Sequence, residues 1–321
     1  METLSFSASV RPVRPDHDPI DMTGPILAVD WGTTNVRAWV VGPDGSVFKH
    51  QNFAVGIGGL APGEAEQRFR HDIVPAMAAQ TLPALLCGMI GSNLGWTAVR
   101  YLDCPVGLAA LGAALHPVGD QTWIVPGLRA VRPDGGPDVM RGEETQVFGW
   151  LTAAAERSIG EHLLCLPGTH TKWARISNGR IETFVTAMSG ELFALLRQHS
   201  SLRVADAVDD DTAFADGLTA AGDGNALASL LFTARSRLVG GDLPAVSVQS
   251  YLSGVLIGAE VASTPALLNI SPGAQIEVIG DVQLGRRYGL ALERLGYRPA
   301  FTSGETAAKV GLLALHRMVA S

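Results

Sequence analysis

The sequence predicts an α/β protein of two related domains around a cleft. Three observations carry this prediction. Apolar, strand-like runs alternate with stretches of helical length and periodicity. A strand, bend, strand, turn, strand layout occurs twice, in LAVDWGTTNVRAWVVGPDGSVF and in LCLPGTHTKWARISNGRIETF. Both copies have a Gly-Thr bend, a Trp in the second strand and a turn ending in Gly. Finally, 321 residues at 47% hydrophobic and 17% charged suit a folded chain with more than one core.

Residues 1–24 carry prolines at 12, 15 and 19 and no apolar h-region, so a flexible leader is expected and not a signal peptide. PILAVDWG, NVRAWVV and SVFKHQNF read as three strands, the last two joined by the turn Gly42-Pro-Asp-Gly45. An amphipathic helix is predicted over 64–79, then a strand over 82–89 that runs into a Gly-rich loop, Ile90 to Trp96. Residues 122–128 read as a strand, 131–139 as a loop and 143–156 as a helix. The second hairpin unit covers 162–184. Helical stretches follow at 190–200, 212–238 and 246–262, then a strand over 275–280 and a helix over 283–295. A strand over 297–303 and a helix from Glu305 to Val319 complete the chain. The expected division is 25–158 for the first domain and 159–304 for the second, with 305–321 a candidate to pack back on the first.

Composition excludes several classes. The net charge of -7 gives no footprint for nucleic acid or an anionic membrane, and no apolar run approaches bilayer length. A small anionic ligand would then need a local positive site. Cys87, Cys104 and Cys165 are too few and scattered for a disulfide framework and lack the CxxC spacing of a zinc site. A reducing, cytoplasmic compartment is expected. There is no GxxxxGK[ST], so a P-loop is excluded.

The bends point to chemistry. Gly lets backbone approach a ligand, Thr adds hydroxyls, and amides in a tight turn form a nest for anions. Gly32, Thr33, Thr34 and Asn35 form one such bend; Gly168, Thr169 and His170, followed by Lys172, form the other. Either alone is equally an ordinary hairpin. Facing each other, they could grip a polyphosphate from two sides, with Asp30 placed to hold Mg²⁺.

This pairing resembles the actin, hexokinase and heat-shock ATPase superfamily. A closer resemblance rests on DWGTTNVRAW, LCGMIGSNLGW, DVMRGEETQ, LPGTHTKW, MSGELFALLRQHS, LSGVLIGAE and GETAAKVGLLAL. Together these look like the 2-dehydro-3-deoxygalactonokinase family, over roughly 25–317. The resemblance implies two ribonuclease-H-like domains, with mixed sheets flanked by helices, around a nucleotide cleft. It implies ATP and Mg²⁺ as cofactors, and phosphoryl transfer to the C6 hydroxyl of 2-dehydro-3-deoxy-D-galactonate in galactonate catabolism.

Phosphoryl transfer to an alcohol needs a base. By analogy with related carbohydrate kinases, Glu143 in MRGEETQ is the candidate and Glu144 the alternative; both are equally first-turn acids favoured by the helix dipole. The substrate carboxylate wants a guanidinium. Arg141 and Arg37 are candidates, though either could be a surface ion-pair partner. Ser92, Asn93 and Trp96 occupy a probable strand end where ligands bind, or else form a turn with Trp96 in the core. Gly58, in GIGG, is a candidate shaper of the sugar pocket. Lys172 could meet the β- or γ-phosphate or point outward. Adenosine is expected near Gly280 and Asp281. Ser253, Gly254 and Gly258 are explained as well by helix packing as by function. The partners expected are a sugar acid and ATP, with exposed helices able to support a homodimer. Two rival readings are a non-catalytic sugar-acid sensor on the same fold and a nucleotide or polyphosphate hydrolase. The residues leave galactonate- and gluconate-derived acids unseparated.

Overall fold

The structure is a computed structural model that describes residues 24–222 and 226–319. The leader, apart from Gly24, lies outside the described residues. The first hairpin unit forms β1 (Ile26–Trp31), β2 (Val36–Val41) and β3 (Val47–Phe53), an antiparallel trio. β4 (Ala84–Gly88) then pairs parallel to β1. β1 is apolar along its length because both faces are covered. Ile26 and Ala28 enter one core cluster, and Leu27, Val29 and Trp31 another. Two short strands, β5 (Leu102–Asp103) and β6 (Val106–Gly107), leave this sheet for others. β7 (His116–Gly119) and β8 (Thr122–Ile124) return to it, giving the order β3-β2-β1-β4-β8-β7.

Next come β9 (Leu128–Val131) and β10 (Pro137–Met140), which form a small sheet with β5. The second hairpin unit gives β11 (Glu161–Leu166), β12 (Thr171–Ser177) and β13 (Arg180–Ala187). β14 (Gln275–Gly280) and β15 (Arg298–Ser303) add parallel strands, and the sheet order is β15-β14-β11-β12-β13-β6. Both large sheets therefore share one plan: an antiparallel trio, then two strands parallel to its first member. β6, which precedes the expected boundary at 158, is hydrogen-bonded to β13 in the second sheet.

The helices are α1 (Glu64–Arg68), α2 (Val74–Met77), α3 (Leu108–Ala113), α4 (Glu143–Thr152), α5 (Ser189–His199), α6 (Asp211–Ala221), α7 (Leu227–Gly240), α8 (Val248–Leu267), α9 (Val282–Arg294) and α10 (Gly304–Val319). α4 and α10 cross closely. A Cβ on Gly149 would lie 1.8 Å from the Ala307 oxygen, and one on Gly311 2.0 Å from the Thr145 oxygen. α6 and α8 cross in the same way through Gly217 and Gly254, so helix packing accounts for Gly254.

Several local expectations are corrected. The helix over 64–79 is interrupted by a π-turn at Phe69–Ile73, just before Pro75, which has no N–H to continue the ladder. The loop over 131–139 is the β9–β10 hairpin, closed by Arg132 N to Gly136 O at 2.8 Å with Gly135 at φ +86°. The strand over 122–128 splits around Val125-Pro126-Gly127, and its two ends join different sheets. The helix over 212–238 divides into two, α6 ending at Ala221 and α7 starting at Leu227. The helix over 143–156 stops at Thr152. One helix does reach bilayer length. Ala245–Leu267, 23 residues, is apolar enough to cross a membrane by composition, but most of it is buried inside this protein as a core helix.

Candidate active site

The first bend follows the C-terminal end of β1. Gly32 N donates to Asn35 O at 2.9 Å. A 3₁₀ turn at Ile57–Gly59 supports it from behind. Gly56, Ile57 and Gly58 donate to the carbonyls of Thr34, Gly32 and Thr33 at 3.0, 3.1 and 2.9 Å. In a trans peptide the N–H points opposite its C=O, so this support turns the following amides away from the turn. Thr33, Thr34 and Asn35 are exposed. A Cβ on Gly56 would lie 2.2 Å from Thr34 carbon, so only glycine allows the approach. Gly58 thus lies behind the first bend.

The second bend joins β11 to β12 and is supported by the start of α5. Glu191 N donates to Thr169 O at 2.9 Å, and Glu191 Oε2 meets His170 Nε2 at 2.6 Å. His170 is exposed. Lys172 is buried; its Nζ donates to His170 O at 3.2 Å and lies 3.6 Å from Glu143 Oε1. Gly32 and Thr33 of the first bend, Gly168, Thr169 and His170 of the second, and Glu143 and Lys172 line one cavity of about 400 Å³ with Asp30, Arg37 and Arg141; Thr34 and Asn35 do not line it.

Asp30 is 7% exposed. Arg37 Nη2 lies 3.2 Å from its Oδ2, and Cys87 Sγ donates to Oδ1 at 3.8 Å. The Arg37 contact is a charge contact without hydrogen-bond alignment, so Oδ2 has no hydrogen-bond partner. Burial pushes the Asp30 carboxyl up, Arg37 pulls it down, and Glu143 adds a smaller upward push.

Gly142 has φ +110°, and a Cβ there would lie 3.1 Å from the Gly88 Cα. This sharp glycine turn starts α4 and sends Glu143 into the cavity, where its Oε2 accepts from Arg141 N at 3.1 Å. Glu144 goes the other way. It is fully buried, its Oε2 accepts from Gly142 N at 2.7 Å, and Oε1 pairs with the Thr145 hydroxyl at 3.1 Å. Burial, reinforced by the Glu143 charge, pushes the Glu144 carboxyl up to about 8. Glu144 is therefore neutral at pH 7 and does not line the cavity.

Arg141 stacks over the Tyr101 ring at 4.4 Å and donates through Nη2 to Val99 O at 2.6 Å. Its Nε and Nη1 have no partner. The loop after β4 takes the second of its two expected roles, a turn with Trp96 packed inward. Ser92 Oγ accepts from Leu94 N at 3.2 Å, a local turn, and Asn93 is exposed. Trp96 packs on Phe69 at 5.5 Å beneath the Arg70 guanidinium. None of the three lines the cavity; Gly91 instead abuts Arg141.

Gly280 and Asp281 lie further along the same cleft. A second cavity of about 330 Å³ shares Arg37, Gln146 and Pro167 with the first. A third, also about 330 Å³, shares Gly280, Asp281, Val282 and Ser303 with the second and ends on Gly285, Gly289 and Phe301. Asp281 caps α9, accepting from Gln283 N and Leu284 N at 2.9 and 3.2 Å. Sequence reasoning missed Tyr101, Gln146, Ser303 and Phe301. Gln146 had a signal: it sits three residues after Glu143, on the same helical face.

Two sheets of one plan, each contributing a glycine bend to a shared elongated cleft, define the class of two-domain phosphotransferases with ribonuclease-H-like halves. The sequence profile of the 2-keto-3-deoxy-galactonokinase family matches residues 30–315, and the chain belongs to that family. It is 36% identical over 305 residues to a probable 2-dehydro-3-deoxygalactonokinase of Rhizobium meliloti (92% of this chain, 98% of the other). It is 35% identical over 302 residues to the 2-dehydro-3-deoxygalactonokinase of Escherichia coli (94% and 100%). A crystal structure from Sinorhizobium meliloti, provisionally described as a 2-dehydro-3-deoxygalactonokinase, superposes with a TM-score of 0.81 at 32% identity (92% and 99%).

Proposed function

We propose that this protein is an ATP-dependent sugar-acid kinase that phosphorylates the C6 hydroxyl of 2-dehydro-3-deoxy-D-galactonate. The observation that carries this reading is the meeting of Glu143 and Lys172 at 3.6 Å, where the two bends face one cavity. The names of the relatives favour the galactonate-derived acid over its stereoisomer.

Glu143 takes the proton of the C6 hydroxyl as that oxygen attacks the γ-phosphorus in line. Lys172, a compact point charge, faces the transferred group from the second bend, and amides of both bends hold phosphate oxygens. Arg141, with two unpaired donors and its ring stack on Tyr101, suits the substrate carboxylate. The third cavity, floored by Gly285 and Gly289 and walled by Phe301, suits the adenine.

Asp30 fits a Mg²⁺ ion: it is a buried carboxylate at the cleft with an Oδ2 that lacks a hydrogen bond. No cluster of three or more His, Cys, Asp or Glu is poised for a metal among the described residues, so most ligands would be phosphate oxygens and water. When bound, the ion neutralises charge on the β- and γ-phosphates.

We assign the first bend and the sugar acid to residues 25–158, with helix 305–319 beside them, and the second bend and adenosine to 159–304. Three free cysteines, two of them buried, fit a cytoplasmic setting. The test is ADP release from MgATP with each 2-keto-3-deoxy sugar acid offered separately and a water control. ADP formed only with the galactonate-derived acid is the expected result. ADP formed without an acceptor would replace this reading with a hydrolase. Sugar-acid binding without ADP would leave a sensor.

A further inference from the structure

Behind the second bend lies a buried polar chain that the reaction itself does not use. Thr171, the first residue of β12, is fully buried, and its hydroxyl meets the Tyr288 hydroxyl at 2.8 Å. Tyr288, on α9, donates to Glu260 Oε2 at 3.0 Å. Glu260, on α8 and 5% exposed, also accepts from the Trp173 indole at 2.7 Å and from the Ser189 hydroxyl. Trp173 is on β12, after the bend, and Ser189 opens α5, the helix that supports the bend's other side. One carboxylate therefore ties together both elements that hold Gly168–His170. Along a strand, successive side chains point to opposite faces. Fixing Thr171 and Trp173 on the buried face thus fixes the direction in which Lys172 enters the cavity.

We propose that Glu260 and Tyr288 are positioning residues for the second phosphate bend, holding Lys172 and the Thr169 amide in register with Glu143. A buried carboxylate costs stability unless its donors compensate, and a hydrophobic residue in its place would pack as well. The arrangement makes sense as a device for geometry, in which small misplacements of reacting groups cost large factors in rate. The inference rests on the phosphotransferase reading above.

Tyr288→Phe removes the link to Thr171 and leaves the ring packed. The control is Tyr251→Phe, on α8, the helix that also carries Glu260; its hydroxyl meets Thr233 Oγ1 at 2.9 Å, far along the chain from either bend. Tyr288→Phe loses its hydrogen bonds to Thr171 and Glu260, and Tyr251→Phe loses its one bond to Thr233. Tyr288→Phe is expected to lower kcat tenfold or more and to weaken binding of a non-hydrolysable ATP analogue, with KM for the sugar acid within twofold of wild type. Tyr251→Phe is expected to lower Tm with kinetics intact. Glu260→Gln, which can accept from Trp173 while donating to Tyr288, should retain most activity that Glu260→Ala loses. Wild-type kinetics in Tyr288→Phe, or equal losses in the two tyrosine variants, would overturn the proposal. If wild type itself phosphorylates no sugar acid, the functional reading fails, and analogue affinity in the tyrosine pair still decides this one.

Discussion

Gly142 turns the chain so that Glu143 enters the cavity while Glu144 passes beneath it, and the two carboxylates carry separate predictions. Glu143→Gln keeps the side chain's shape and removes the proposed base; ADP release should fall by about 10²–10⁴-fold in kcat with a similar KM for ATP. Arg141→Lys retains charge but loses the fork, so KM for the sugar acid should rise by roughly tenfold or more with KM for ATP unchanged. Glu144 bears on stability. Its carboxyl is raised from 4.5 to about 8 on folding, so the folded state binds the extra proton between those values. The stability it contributes is fully present below pH 4.5 and is lost as pH rises through 8. Glu144→Gln mimics the protonated form, and its urea midpoint should fall less between pH 6 and 9 than that of wild type. At this scale the sequence was legible where chemistry is local: Asp30, Arg37, Arg141, Glu143, Thr169 and Lys172 do share one cavity. The core alternative for Trp96 was legible but its partners were not, because Phe69 and Arg70 reach it from more than twenty residues away; nor was Glu260, a lone acid in an apolar helix until Trp173 and Tyr288 fold onto it.

The α4–α10 crossing is the element on which the position of Glu143 depends, since α4 begins at that residue. Gly149→Ala would drive a methyl into the Ala307 carbonyl and force the helices apart. We expect a loss of about 1–3 kcal/mol by urea unfolding. The displaced α4 should also lower kcat, whereas Gly135→Ala, in an exposed turn with φ +86°, should destabilise without affecting kcat. The paired hairpin units were visible in the sequence because each is a continuous local pattern with its own turn signals. The β9–β10 hairpin and the two-residue strands β5 and β6 were not. The ladders of β5 and β6 depend on β9 and β13 far along the chain and two residues show no alternation, whereas β9–β10 is a local hairpin of only four residues a side.

The two glycine bends stand on different sheets around one cavity, and a ligand that spans it is expected to close the cleft further. Small-angle scattering with ATP analogue and sugar acid bound should show a smaller radius of gyration than the free protein; an unchanged curve would refute closure. The same architecture has a consequence for synthesis. Leu312, Leu313 and Leu315 of α10 share a core with Ile26, Trp39 and Leu85 of the first sheet. At ribosomal speed those leucines emerge roughly 10–40 s after β4. Until then one apolar face of the first sheet has no cover, which makes it a natural client for a chaperone. Ribosome-arrested chains that stop before Gly304 should be cut by protease within β1–β4, and release of α10 should end that sensitivity.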